Sequence, residues 1–284
     1  MAKSHLLRVA ERVAPALRRM GLGPLIDRSA ARFSGQLGST TTAFEGFSIE
    51  TAEIGHLYYL RDLVDGGHDR YFRELFTAAI PDGGTVLEAG AHIGVMTLFA
   101  ARAAGPTGRV ITFEPNSGTL PVLQRNVDAN GFRDRVEIVP LGLSDERADL
   151  TFYVSGGGET SSLHDPGTAS HTITISTVPG DEWLTTDTRI DVVKLDIEGN
   201  EVRALRGLER TLRGAGPNLT VFAECNPDML ARAGHTPADL VAALEACDLT
   251  VRWIDDESES VRELAEGLPA DGYVNFICTR PERR

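Results

Sequence analysis

Residues 86–97 read VLEAGAHIGVMT. Two aliphatic residues, Val86 and Leu87, run into an acid, Glu88. The chain then turns through Gly90 and Gly94 and enters an apolar stretch of helical length, 95–104. Glycine at those points lets backbone or ligand approach where a Cβ would intrude. The unit is a strand, a turn and a helix, and the alternation continues downstream. β-rich runs occupy 85–88, 109–114, 136–140, 190–196 and 219–225, with helical stretches at 95–104, 117–130 and 200–212. Strands alternating with helices of this length imply right-handed βαβ crossovers and a parallel sheet covered on both faces. A helix at 237–247 precedes strands at 249–254 and 273–279, which have no helix between them and so form an antiparallel hairpin at one edge. The expectation is an α/β, Rossmann-like fold with a seven-stranded, mostly parallel sheet and a C-terminal antiparallel hairpin.

Upstream of this unit, a helix over 69–79 ends at Pro81-Asp82-Gly83-Gly84. Residues 44–59 read as irregular or short strands, 34–42 as a Gly/Ser/Thr loop, and 4–20 as an amphipathic helix containing Pro15. The division is an N-terminal helical or irregular extension, 1–68, and a main domain, 69–284. The extension is expected to cap the substrate side or make a homodimer contact. Between the third and fourth core strands lies a long insertion. It has strand-like runs at 149–154 and 172–178 joined by SGGGETSSLHDPGTASH, 155–171. Insertions at the carboxyl end of a sheet commonly carry substrate-specific structure.

Composition narrows the partners. Of the chain, 42% is hydrophobic and 24% charged, as in ordinary globular proteins. The net charge of -13 opposes a polyanionic partner, so no nucleic acid is expected. Lys3, Arg8, Arg12, Arg18, Arg19, Arg28 and Arg32 make the first part of the chain basic and read as a solvated helical face. No apolar run is long enough to span a membrane, and the N-terminus lacks a signal-type apolar region, so the expected location is cytoplasmic. Cys225, Cys247 and Cys278 are far apart inside apolar runs and read as core thiols, not a disulfide or zinc set.

The spacing in 86–97 is acid-x-Gly-x-x-x-Gly, not the G-x-G-x-x-G of dinucleotide sites. A pyrophosphate is held by helix N–H groups, and an acid directly before the turn repels it. That acid suits the cationic amino-acid end of S-adenosylmethionine. Glu114 ends the next strand, in RVITFEPN, where a carboxylate accepts hydrogen bonds from ribose hydroxyls. The third signal is RIDVVKLDIEGNEVRALRG, 189–207. It places Lys194, Asp196 and Glu198 on same-side positions of the fourth strand, with Glu201 opening the following helix. Lys194 and Lys3 are the only two lysines in the chain. A buried Lys194 is read both as an ion-pair partner of Asp196 or Glu198 and as a positioner of a catalytic carboxylate.

Together, VLEAGAHIGVMT, FEPN, VPLGLSDE (139–146), DEWL (181–184), IDVVKLDIEGNE and FAEC (222–225) resemble the FkbM-type methyltransferases. The resemblance covers about 69–280 and is most specific at KxDxEGxE. It implies a class I methyltransferase fold and, most often, O-methylation of secondary metabolites or sugars. It also implies cofactor contacts from Glu88, Gly90, Gly94 and Glu114, and a reacting end faced by Asp196, Glu198 and Glu201. The neighbouring Ala91, His92, Pro115, Asn116, Gly142 and Leu143 are taken as cofactor-binding with them. Ser161, Ser162, Glu201 and Glu224 are assigned to substrate. Two departures stand out: the family usually has Asn where His92 stands, and more often Asp at position 88.

For transfer to an oxygen, a proton acceptor is needed, and Asp196, Glu198 and Lys194 are the catalytic candidates. An acid cluster of Asp196, Glu198, Glu201 and Glu224 is alternatively suited to a hard divalent ion such as Mg²⁺. His164 and His171, in the insertion, are weaker general-base candidates. N- or C-methylation is the alternative to O-methylation, and a nicotinamide oxidoreductase or a non-catalytic binder are the readings from other classes.

Overall fold

The computed structural model describes residues 39–52, 56, 59, 60, 63, 64, 69–155, 161–165, 167, 169–269 and 272–281. The expected helix at 4–20, the 34–38 part of the expected loop and the basic N-terminal residues lie outside this set.

The chain opens with a hairpin of β1 (Thr40–Phe44) and β2 (Phe47–Thr51). It continues through α1 (Arg70–Ala79), β3 (Thr85–Ala89), α2 (Val95–Ala103), β4 (Arg109–Phe113), α3 (Leu120–Ala129) and β5 (Val136–Val139). The insertion contributes β6 (Gly142–Ser144), β7 (Ala148–Ser155) and β8 (Ala169–Pro179), and α4 (Gly180–Trp183) leads out of it. Then come β9 (Val192–Leu195), α5 (Glu201–Gly207), α6 (Glu209–Gly214), β10 (Thr220–Cys225), α7 (Pro227–Arg232) and α8 (Pro237–Ala246). The chain closes with β11 (Thr250–Asp255), β12 (Ser260–Glu263) and β13 (Val274–Thr279).

The main sheet runs β12-β11-β13-β10-β9-β3-β4-β5. Strands β5, β4, β3, β9 and β10 are mutually parallel, and β13 is antiparallel to both β10 and β11. This is the expected α/β class, with two corrections. The sheet has eight strands, because Ser260–Glu263 pairs on the outside of β11. The final pair is also not a simple edge hairpin: β13 inserts between β10 and β11. Its residues Val274, Phe276 and Cys278 are buried in one core cluster, which explains the strand's apolar character.

Three local expectations also shift. The Thr-rich start of the hairpin reads as loop in sequence, but Thr40, Thr41 and Thr42 are β-branched and pair with Thr51, Glu50 and Ile49. The helix expected over 200–212 breaks at Leu208, where Gly207 meets the backbone of Ser144: a Cβ there would lie 2.0 Å from the Ser144 carbonyl oxygen. The insertion forms its own three-stranded sheet, β6-β8-β7, with β7 and β8 antiparallel as their alternation suggested.

Two hydrophobic clusters cover the sheet. One packs α5, α6 and α8 beneath β9, β10 and β13 through Leu205, Leu212, Leu244 and Phe276. The other joins α1 and α2 to the opposite face and takes in Phe44, Phe47 and Ile49 of the hairpin. All three cysteines are free and buried. Among the described residues, no helix is long and apolar enough to cross a membrane.

Candidate active site

Strand order reverses at β3, whose neighbours are β4 on one side and β9 on the other. Such a switch point leaves a crevice outside the carboxyl ends of the strands, and a cavity lies there. Its floor is Gly90, Ala91, His92, Glu114, Lys194, Asp196 and Glu198. Gly90 has a φ of 86°, and a Cβ on it would lie 1.7 Å from the Asp196 carbonyl oxygen. The turn after β3 can therefore press against the end of β9 only with glycine. His92, at φ 50°, is also left-handed. Asn and His both tolerate that region better than most residues, so the family's Asn and this chain's His answer the same backbone demand.

Glu114 organises the turn. Its Oε2 accepts from the His92 N–H at 2.8 Å and its Oε1 from the Asn116 N–H at 2.9 Å. Burial pushes its pKa up to about 7, against the pull of those two N–H donors. Lys194, buried in β9, donates to Asp196 Oδ2 at 2.9 Å. Burial alone lowers an ammonium, but Asp196 and Glu88 outweigh it and its pKa stands above the ordinary value. The strand ends at Leu195, so Glu198 does not follow the strand alternation expected of it. It sits in the next turn at φ 53°, followed by Gly199 at φ 100°.

Other candidates fall around this floor. Glu88 is fully enclosed below the crevice, outside its lining, and its Oε2 accepts from the hydroxyls of Thr97 at 2.6 Å and Thr112 at 2.9 Å. Burial raises its pKa, opposed by Lys194 and the threonines. Gly94 caps α2, with no place in the lining. Glu201 folds back onto the N–H groups of Ile197 and Gly199 at 2.9 and 3.0 Å. It is 1% exposed, and it does not meet Asp196 and Glu198 as a ligand set. Glu224, at the end of β10, does: one carboxylate oxygen from each of Asp196, Glu198 and Glu224 lies within 4.8 Å of the others. Burial, then Asp196, Glu198 and Glu201, raises the Glu224 pKa well above the carboxylate range.

The insertion supplies a wall. Ser161, Phe152, Leu163 and Ile175 line the crevice with Gly142, Leu143, Pro115 and Asn116. Ser162 is buried behind it and ties the loop to the acidic turn through Oγ–H to the Glu198 carbonyl, 2.7 Å. Neither His164 nor His171 lines the crevice. Sequence reasoning missed Tyr59, Ala89, Met96, Phe113, Thr119, Phe152, Leu163, Ile175, Ile197 and Asn200 among the lining residues. Phe152 was recoverable from the alternation of β7. Tyr59 carried no signal; it meets His92 edge-on at 5.1 Å, opposite His56 at 5.0 Å. Burial holds both histidines well below their ordinary range, His56 at about 4 and His92 at about 3.

The strand order, the glycine turn and the acids at the strand ends define a class I, methyltransferase-type Rossmann fold. The Methyltransferase FkbM domain matches residues 88–249, more than half of the chain, and the protein belongs to that family. It is 29% identical over 210 residues to the hexuronic acid methyltransferase AglP of Haloferax volcanii, covering 72% of this chain and 77% of that one. It is 26% identical over 153 residues to methyltransferase 1 of Beauveria bassiana, covering 46% of this chain and 61% of that one. A TehB-like SAM-dependent methyltransferase structure from Corynebacterium glutamicum superposes with a TM-score of 0.45 at 12% identity, over 80% of this chain and 98% of that one.

Proposed function

We propose that the protein transfers the methyl group of S-adenosylmethionine to a hydroxyl of a small molecule, a secondary metabolite or a sugar. The observation that carries this is the crevice at the β3–β9 switch, whose polar floor is acidic: Glu114, Asp196 and Glu198 with one paired lysine. Such a floor suits a cationic ligand and disfavours a pyrophosphate. The lining fits the group in its parts. Phe113, Leu143 and Met96 offer apolar surface for a base, Glu114 keeps lone pairs for ribose hydroxyls, and Asp196 and Glu198 face a cationic end. Glu88, enclosed beneath the crevice, supports that end indirectly, by tying β3 to α2 and β4 through the Thr97 and Thr112 hydroxyls. When bound, the cofactor supplies an electrophilic methyl carbon. Lys194 pairs with Asp196 and orients it, and Asp196 or Glu198 takes the proton of the acceptor hydroxyl as transfer proceeds. The insertion and Tyr59 exclude water and position the acceptor. The name of the Haloferax relative points the same way, to a sugar-type acceptor.

The spacing of Asp196, Glu198 and Glu224 favours a second version of the chemistry, in which a divalent ion polarises the acceptor. N- or C-methylation would use the same crevice. The deciding experiment is transfer of labelled methyl from S-adenosylmethionine to a panel of hydroxylated acceptors, with and without EDTA, alongside calorimetry. Binding of S-adenosylmethionine and label on oxygen are expected. Binding of NADH in its place overturns the reading, and activity lost to EDTA and restored by Mg²⁺ selects the metal version.

A further inference from the structure

Residues 161–163 run as a short extended strip along the crevice. Ser162 forms an antiparallel bridge with Tyr153 of β7. Its N–H donates to the Tyr153 carbonyl at 3.0 Å, and its carbonyl accepts from the Tyr153 N–H at 2.8 Å. Side chains alternate across such a strip. Ser161 and Leu163 accordingly line the crevice, and Ser162 between them does not. Its side chain, at 0% exposure, faces the turn after β9 instead.

There the Ser162 hydroxyl accepts from the His164 N–H at 3.1 Å and gives its one proton to the Glu198 carbonyl at 2.7 Å. Glu198 needs such a hold for two reasons. Its φ of 53° is left-handed, a region that a non-glycine residue keeps only when its surroundings impose it. Its carboxylate also shares a space with those of Asp196 and Glu224, one oxygen from each within 4.8 Å of the others, and like charges so close repel. Released from the turn, the Glu198 side chain would relax away from both. The neighbouring residues are fixed from the other side. The Glu201 carboxylate accepts from the Ile197 and Gly199 N–H groups at 2.9 and 3.0 Å. Gly199, at φ 100°, rests on α7, where a Cβ would come within 2.5 Å of the Met229 carbonyl oxygen. The Ser162 bond completes this clamp at Glu198 itself.

We infer that Ser162 is a positioning residue for methyl transfer: by fixing the Glu198 carbonyl it sets the Glu198 carboxylate at the reacting end of the crevice. The same strip that presents Ser161 and Leu163 as crevice wall thus carries the hold on the acid, and wall and acid move as one unit. The inference rests on the methyl-transfer reading of the crevice.

The test compares Ser162→Ala, Glu198→Gln and the double variant in the full chain. Turnover is read with labelled S-adenosylmethionine and the hydroxylated acceptor panel, binding by calorimetry with S-adenosylhomocysteine, and the turn itself by hydrogen exchange of the Ile197 and Gly199 amides. Ser162→Ala is expected to lower kcat about 10- to 100-fold, the cost of misplacing a reacting group by about 1 Å, with S-adenosylhomocysteine affinity and acceptor KM unchanged. The two amides should exchange about 5- to 10-fold faster, as loss of one hydrogen bond allows. The double variant should turn over no more slowly than Glu198→Gln alone, because no carboxylate is left to position. Wild-type kcat in folded Ser162→Ala or in Glu198→Gln overturns the inference. So do unchanged amide exchange and losses that multiply in the double variant. Should Ser162→Ala misfold, Ser162→Cys, close in size but a weak donor, takes its place with the same expectations. Should the wild type methylate no member of the panel, amide exchange decides. Failure of the wild type to bind S-adenosylhomocysteine overturns the methyl-transfer reading instead, and amide exchange still reports on the clamp.

Discussion

At the scale of single residues, Glu114 and Asp196 make different demands. Glu114 accepts two backbone N–H groups of the turns it joins, and the proposed ribose bond is additional. Glu114→Ala is expected to cost about 1.5–3 kcal/mol of cofactor binding, the range for a hydrogen bond to a charged group. Calorimetry at wild-type affinity would remove the assignment. For Asp196, catalytic and structural roles predict opposite signatures. Lys194 is buried but the Asp196 side chain is 41% exposed. Solvent therefore discounts the about 3–5 kcal/mol of breaking a fully buried pair, and under about 2 kcal/mol is expected for Asp196→Asn. A general base would lose about 100- to 10,000-fold in kcat. Asp196→Asn and Glu198→Gln, each measured for kcat and melting temperature, separate the two. If both turn over acceptor at the wild-type rate, the carboxylates are not in the chemical step.

At the scale of elements, the turn after β3 has the least freedom. Gly90→Ala would set a methyl group 1.7 Å from the Asp196 carbonyl oxygen at a φ of 86°. The left-handed backbone costs about 1–2 kcal/mol and the overpacking about 1–3 kcal/mol, so unfolding by denaturant should show a loss of about 3 kcal/mol. Wild-type stability would mean that β3 and β9 can separate freely. This turn was legible in sequence because local chemistry dictates it, as it does the strands before Glu88, Glu114 and Asp196. What escaped was set by distant packing. The break at Leu208 arises because Gly207 rests on Ser144, a contact between residues far apart in the chain. The place of β13 inside the sheet likewise depends on which neighbour buries Phe276. At the site, Lys194 and Asp196 were paired by proximity in the chain. Glu201 turns its carboxylate onto the Ile197 and Gly199 N–H groups, only four and two residues away, a local side-chain geometry that spacing alone does not encode.

At the scale of the whole molecule, two properties are open to measurement. The first is the response to pH. Glu114 and Glu201 both have folded pKa values pushed up to about 7 from an ordinary 4.5, chiefly by burial. For a carboxyl raised on folding, the stability it contributes is fully present below the unfolded value and is lost as pH rises through the folded one. Each such rise corresponds to at most about 3.4 kcal/mol. His56 and His92, held at about 4 and about 3, run the other way, gaining stability as pH rises toward the ordinary histidine value. The test is therefore the variant: relative to wild type, Glu201→Gln should shift the change in melting temperature from pH 5 to pH 7.5 toward a rise. An unchanged pH response would contradict the Glu201 shift. The second property is dependence on the N-terminal hairpin. It lies outside the main sheet, which invites the idea that trimming it would spare cofactor binding. Packing argues otherwise. Phe44, Phe47 and Ile49 are buried at 7%, 5% and 0% exposure, and both phenylalanines meet Phe99 of α2 edge-on. The Glu50 N–H donates to the Asn126 side chain, whose Nδ2 donates in turn to the Ile93 carbonyl beside the glycine turn. Each buried apolar side chain contributes about 1.5–3 kcal/mol. Removing residues through 52 then costs about 5–9 kcal/mol, comparable with the whole stability of a domain. The truncated chain is expected to be unfolded or to bind S-adenosylmethionine at least 10-fold more weakly, by circular dichroism and calorimetry. A truncated protein with wild-type melting temperature and affinity would show that the hairpin is an ornament on a self-sufficient core, and that the division near residue 68 is a true domain boundary.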